Sequence, residues 1–444
     1  MAGNAIRNDH SEVAELLASI VGAPNVSRTP RDLMAAGLPL GPGEVSDARA
    51  WLVRPGSAAE IAELVRLCGA RGLTVTPIGT VSRKRSGTKT SQARVIIDLK
   101  RMTHVLHLDE TSLVVHAQAG LVGLRLEELL LPRGLTIGDY PPAVLRSSLG
   151  GLVSVRTPGK SSPRHGFLAD AVLGVTAVLP SGRTIHTRVA PRRASGPNLA
   201  SALIGSEGTL GIVTAVVLRI HRRSEARLLA AFRFPSIDSA VASVTLALRA
   251  DVRPSAVRVY DGAEGRVHLG SDASNAEEAI VTLCTSGPSE LATVERDIYA
   301  DLARGLGGTP LGSAPAEIWW RRRSGHTLPG PVPPPPALEI AAPPSRLVPV
   351  YQAVVNAARH AQRDARAHIS RFDDDGACIF VTLLDGDRPD PAGPARSDVE
   401  RAVRDAGGFL VGERDQELAP YFMALRKELD PSAILNPEVL DSSR

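Results

Sequence analysis

The sequence predicts an α+β protein of more than one module, and three observations carry that expectation. At 444 residues the chain is several times the roughly 150 residues of an ordinary domain. Ala50–Ile78 alternates strand, helix and strand, a β-α-β unit. Finally, Ile204–Thr214 reads I-G-S-E-G-T-L-G-I-V-T. Its glycines Gly205, Gly208 and Gly211 stand three apart and let backbone approach something bulky, and its β-branched end opens a strand that runs through Leu218.

Taken in order, Ser11–Val21 has the apolar spacing of a short amphipathic helix, with Val13, Leu16, Leu17 and Ile20 on one face. A Pro/Gly linker over Gly37–Gly43 follows. Ala50–Val53 is a strand, Ser57 an N-cap for a helix over Ala58–Arg71, and Leu73–Ile78 a second strand ending at Gly79. Arg94–Leu99 is again extended, as are His104–Asp109 and Ser112–Ala119. Gly120 breaks the last of these ahead of a helix over Leu121–Leu131. Phe167–Leu179 is loop and strand, Pro180–Arg183 a hairpin turn, and Leu199–Ile204 a short helix leading into the glycine run.

Composition narrows the classes of function. Hydrophobic residues at 43% and charged residues at 22% describe a globular chain with a large core. A formal charge of +4, spread along the sequence, gives no support to nucleic-acid or membrane binding. Cys68, Cys284 and Cys378 have no metal-ligand spacing, so no metal site is expected, and three separated thiols suggest a reducing cytoplasm. No apolar run approaches the roughly 20 residues that span a bilayer. A small molecule is the expected partner.

Seven pieces, in order, resemble the flavin-binding domain of the vanillyl-alcohol-oxidase and p-cresol-methylhydroxylase (PCMH) superfamily. They are Val53–Val65, T-P-I-G at Thr76–Gly79, H-A-Q-A-G at His116–Gly120, S-L-G-G-L-V at Ser148–Val153, Arg164–Val175, L-P-S-G at Leu179–Gly182, and the glycine run. Within it, Val257–Asp261, D-G-A-C-I-F at Asp375–Phe380, Gly407-Gly408 and the ending Leu429–Pro437 are similar to alkyldihydroxyacetonephosphate synthases, with glycolate-oxidase-type proteins next. The resemblance implies a two-subdomain PCMH-type FAD-binding domain with an inserted α+β cap domain for the substrate. It divides the chain into an N-terminal helical extension (1–47), the FAD domain (48–221), the cap (222–408) and a segment closing the site (409–444). A dimer through the cap is expected on the same ground.

The resemblance also implies where FAD sits. A pyrophosphate is held economically by backbone N–H groups in a Gly-rich turn, and the family places that turn after the second strand. Here it reads Gly79-Thr80-Val81-Ser82-Arg83-Lys84-Arg85-Ser86-Gly87, with fewer glycines than the family carries. Two readings stand for it. Either Arg83, Lys84 and Arg85 neutralise phosphate while Ser82 and Ser86 donate hydrogen bonds, or the loop has lost its ligand and its charges face water. Ser147, Ser148, Gly150, Gly151 and Ser154 are further cofactor contacts, Gly205, Glu207, Gly208 and Ile212 face the adenosine half, and Pro141–Leu145 is apolar where relatives are often polar.

Catalytic features depart from the family. Asp373 stands where the synthases carry a tyrosine, and no histidine follows His368, so the synthase reaction itself is not expected. The candidate catalytic set is Asp373, in an acidic run where like charges raise a carboxylate's pKa, Arg258, and His165, near where some relatives link flavin covalently. Trp319–Arg323 forms either an anion or aromatic site or a helix end packing two indoles, and Pro329–Pro336 a polyproline spacer or flap. The expected function is a diverged FAD-dependent oxidoreductase acting on a small hydroxylated or phosphorylated substrate. The alternative is a homologue that has lost flavin and works without redox chemistry.

Overall fold

The computed structural model describes residues 10–37, 49–80, 93–138, 140, 145–156, 163–187, 189, 198–270, 278–323, 338–386, 388–389, 395–413 and 417–441. Ser82, Arg83 and Lys84, the polyproline stretch and most of Pro141–Leu145 lie outside them.

The β-α-β unit forms as its local signals dictate. Ser57 accepts from the Glu60 amide to open the helix Ala58–Arg71, and Gly72, at φ 64°, closes it in the left-handed conformation. Ile61, Leu64, Val65 and Cys68 are the buried stripe. The flanking strands Ala50–Val53 and Thr74–Ile78 both run parallel to Arg94–Asp98, which lies between them. The strand order is thus Val26–Ser27, Ala50–Val53, Arg94–Asp98, Thr74–Ile78. A second, antiparallel sheet has the order Val105–Asp109, Val114–Gln118, Ile212–Arg219, Val172–Val178, Thr184–His186. Its apolar residues share one core with the first sheet and with the helix His10–Val21, through Val13 and Leu17. Where a loop was expected after Phe167, one helical turn, Leu168–Ala171, precedes the strand, closed by Asp170 Oδ2 accepting the Phe167 amide at 2.7 Å.

From Ala226 the chain builds a separate antiparallel sheet. Its order is Thr309–Gly312, Ala226–Phe234, Ala279–Gly287, Ala256–Asp261, Asp364–Ser370, Ala377–Asp385, Leu338–Ala342, Phe409–Leu410, with Arg388–Pro389 paired to the Ala377–Asp385 strand. Phe409–Leu410 pairs with Leu338–Ala342 at this edge. Strand alternation gives the sheet two different faces. Val257, Val259, Val281, Leu283, Ile369, Ile379 and Val381 point to a layer of helices that includes Ile237–Arg249 and Leu347–His360. The opposite face carries the polar Arg258, Thr282, His368 and Ser370 beside an apolar patch, Ala256, Tyr260, Ile280 and Cys284, that packs on Leu269 and Trp319 of the helices Gly262–Leu269 and Ala314–Arg323.

The chain then returns to the first sheet. Val75 donates to Ile434 O and accepts from Asn436 N, both at 2.7 Å, and Glu438 pairs with Arg94. The cap is therefore an insertion into the first unit. Among the described residues no helix is long and apolar enough to cross a membrane, no cluster of His, Cys, Asp or Glu suits a metal, and the three cysteines are buried thiols.

Candidate active site

Four segments of the first unit converge where the glycines fall. A Cβ on Gly79 would collide with Ser148 Oγ, one on Gly150 would come 2.9 Å from the Ala119 Cβ, and one on Gly208 2.6 Å from Pro77 Cγ. Only glycine allows these approaches. Ser148 caps the helix Leu149–Ser154 by accepting from Gly151 N, and Gly150 N donates to Ala119 O. The glycine run is fastened to the same helix, since Gly205 N donates to Val153 O and Glu207 N to Ser154 O. Gly205 and Gly208 have φ of 84° and 76°, and Glu207 shares that left-handed region at 51°. Ile212 is buried at the start of its strand. The structure thus brings Gly79, Thr80, Ser147, Ser148, Gly150, Gly151, Ser154, Gly205, Glu207 and Gly208 into one neighbourhood. Close backbone packing with hydroxyls at hand fits a dinucleotide's pyrophosphate and adenosine.

His165 places its ring 4.3 Å from that of His221. Its neighbour Arg164 ties the unit to the cap. Arg164 Nη2 donates to both Glu295 oxygens at 2.7 and 2.6 Å, and Nε to Arg253 O at 3.2 Å.

The polar face of the cap sheet holds the other half of the chemistry. Arg258, opposite Ser370 on one side and Thr282 on the other, is 8% exposed. Its Nη1 donates to Tyr260 Oη at 3.3 Å, its Nε has no hydrogen-bond partner, and no carboxylate among the described residues pairs with it. A buried cation without a counterion is costly unless a ligand supplies one. Two nearby arginines differ: Arg366 lies 2.9 Å from Glu264 Oε2 and Arg371 3.2 Å from Glu339 Oε2.

Next to Arg258 is a buried group that the sequence did not announce. Glu264 Oε1 accepts from His268 Nε2 at 2.9 Å and stands 3.1 Å from His368 Nδ1. The His368 ring stacks on Phe380 at 4.8 Å and 11°. Burial opposes ionisation of Glu264, but the hydrogen bonds from His268 and His368 outweigh it and hold the carboxyl well below its usual range. Burial, then the Arg258 charge, pushes His368 down to about 3, so its ring is neutral at ordinary pH. The residues that meet here come from 258–268 and 366–380. The i,i+4 spacing of Glu264 and His268 and the alternation Arg366-His368-Ser370 were the available signals.

Asp373 is placed elsewhere. Its Oδ1 accepts from the amides of Asp375 and Gly376, both at 2.9 Å, and it borders a small cleft with Thr245, Leu248, Arg249 and Leu347 of the helical layer. Its pKa is raised, chiefly by burial, with the like charges of Asp375 and Asp374 adding less, yet its carboxylate is engaged in the turn and does not share the polar face with Arg258. Trp319 and Trp320 form a helix end. The first is buried and the second meets Arg227 at 4.5 Å and Arg323 at 5.5 Å.

A two-sheet dinucleotide unit with a cap sheet inserted is the architecture of PCMH-type flavoproteins. Solved structures of alkyldihydroxyacetonephosphate synthase (TM-score 0.76, 21% identity, 98% of this chain and 86% of that one) and of p-cresol methylhydroxylase with substrate bound (0.70, 14%, 97% and 96%) share it. Residues 50–188 match the FAD binding domain model and residues 223–440 the model for the C-terminal domain of FAD linked oxidases. The chain belongs to this family of FAD-linked oxidoreductases, whose cofactor is FAD. Curated relatives include alkyldihydroxyacetonephosphate synthase of Dictyostelium discoideum, 28% identical over 63% of this chain and 50% of that protein, and a probable mitochondrial D-lactate dehydrogenase of Danio rerio, 32% over 47% and 43%. The chain spans half or less of the length of these two curated relatives.

Proposed function

We propose that the chain is a FAD-dependent dehydrogenase or oxidase for a small hydroxylated substrate bearing an anionic group, a carboxylate or a phosphate. Arg258 carries this reading. A guanidinium that is desolvated, unpaired and set among polar side chains is prepared for an anion, whose arrival supplies the missing charge. The names of the relatives, a lactate dehydrogenase and a synthase of a phosphate ester, point to the same chemistry. Synthase activity itself is set aside, because no histidine follows His368.

FAD, when bound, supplies the electron acceptor, and Gly79, Thr80, Ser148, Gly150, Gly151, Ser154, Gly205, Glu207 and Gly208 would hold it. Arg258 fixes the substrate's anionic end, and the cap's stacked helices on the far face keep that strand rigid.

The test begins with the visible spectrum of protein purified without added cofactor, then with FAD added and the excess removed. A co-eluting flavin that bleaches anaerobically with D-lactate or glycerol 3-phosphate supports the reading. Retained flavin that none of a panel of hydroxy acids and phosphate esters can bleach, or a protein that refuses FAD, overturns it.

A further inference from the structure

Building on that oxidoreductase reading, we propose that His368 takes the substrate's hydroxyl proton on Nε2, and that Glu264 is the positioning residue that holds the ring for it. Glu264 is a carboxylate 3.1 Å from Nδ1, so Nδ1 carries the proton as donor and Nε2 is left with its lone pair. Nε2 has no hydrogen-bond partner among the described residues. The stack on Phe380 fixes the ring plane. Arg258 lies on the adjacent strand, two positions from the residue opposite His368, so an anion held there sets a neighbouring hydroxyl within range of the imidazole.

The charges around the ring come from every element packed on it. Glu264 and His268 belong to the helix Gly262–Leu269, Arg258 and Tyr260 to one neighbouring strand, and Arg366 to its own. From the other neighbouring strand comes Phe380, with Arg371 Cζ 4.7 Å from its ring. Burial first, and then the Arg258 charge, disfavour a proton on His368. A bound anion offsets the second of these, so substrate raises the affinity of Nε2 for a proton. In the reaction the O–H bond breaks toward Nε2 while the adjacent C–H bond breaks with its electron pair. A carbonyl forms, and two electrons leave with the hydride for the flavin oxidant.

Two measurements on the FAD-loaded protein test this. The first follows the His368 ring nitrogens by 15N NMR against pH, with and without oxalate, a non-reacting dianion. Expected are a protonated Nδ1 and bare Nε2 from about pH 5 upward, a rise in the His368 pKa with oxalate, and loss of that rise in Arg258→Met. The second is anaerobic flavin bleaching by D-lactate or whichever panel substrate reacts. His368→Gln should slow it about 10²- to 10⁴-fold with KM nearly unchanged. Glu264→Gln should give a smaller loss with a shifted pH profile, and His368→Asn is not expected to rescue. Wild-type bleaching by His368→Gln, or oxalate binding through Arg258 that leaves the His368 nitrogens unmoved, overturns the proposal. Oxalate that does not bind at all refutes the anion site, and with it the reading on which His368 depends.

Discussion

The flavin-binding unit and the cap build their candidate sites in different materials. In the first unit the site is made of backbone: glycines that admit a neighbouring segment, amides spent on carbonyls, and hydroxyls at a helix start. In the cap it is made of side chains on one face of a sheet whose other face is apolar. The difference teaches that one candidate site depends on the absence of side chains and the other on charge balance. That contrast can be broken or sharpened experimentally.

The largest effect belongs to the backbone half. A Cβ on Gly120 would collide with Leu99 O and come 2.7 Å from Met102 O, so Gly120→Ala should cost more than about 3 kcal/mol, read as loss of folded holoprotein in denaturant titration. If it is tolerated, the contrast fails. Next is the seam between the halves. Glu295→Ala strips the mostly buried Arg164 of its bidentate partner and should cost about 3 kcal/mol, splitting the thermal transition into two if the halves are held chiefly by this pair. Third, Arg258→Met should raise stability by about 1 kcal/mol, since an unpaired buried cation is replaced by an apolar chain, while anion affinity falls about 10- to 100-fold. A variant that loses both stability and binding would place Arg258 in the structural frame.

The smallest effect is a pH trend. Burial pushes Asp261 up to about 7 although its oxygens accept from the amides of Glu264 and Ala367. Its folded pKa exceeds the unfolded one, so its contribution is complete below about pH 4 and fades as pH rises through 7. His368 runs the other way. Its folded pKa is about 3, below the unfolded value, so its contribution is complete above about pH 6.5 and fades as pH falls toward 3. The two slopes oppose each other between about pH 4 and 6.5, and the wild type should be nearly flat there. Asp261→Asn should expose stability rising with pH, and His368→Gln stability falling with pH, each by at most about 1.4 kcal/mol per unit. Parallel slopes in the two variants would sink this account.

Much of the first unit was legible because its signals are local. Ser57, Gly79, Gly120, Gly205 and Gly208 each announce a cap, a turn or a close approach from a few neighbouring residues, and the helix Ala58–Arg71 appears where its cap and stripe put it. The strand order was not legible, since nothing in Arg94–Asp98 says that it lies between the other two. The cap's polar cluster was hidden for a similar reason. Glu264 and His368 are about a hundred residues apart, and only the pairing of Tyr260 with His368 brings them together. Asp373 drew attention because three aspartates stand in a row, but a run of like residues does not tell which way a turn faces. There the first aspartate closes the turn on the amides of Asp375 and Gly376, and the second pairs with Arg253.

The return of the chain to the first sheet has a consequence in time. Val75, Arg94 and Glu207 are on the nascent chain long before Ile434, Asn436 and Glu438, which they bind. On a ribosome adding about 5–20 residues per second, the first sheet stands with an open edge while the whole cap is made. The cap is then free to fold first as a finished insert, and the cofactor unit is sealed only when the tail arrives. A ribosome-stalled chain ending before Pro431 should therefore present a protease-resistant cap attached to a cleavable flavin unit.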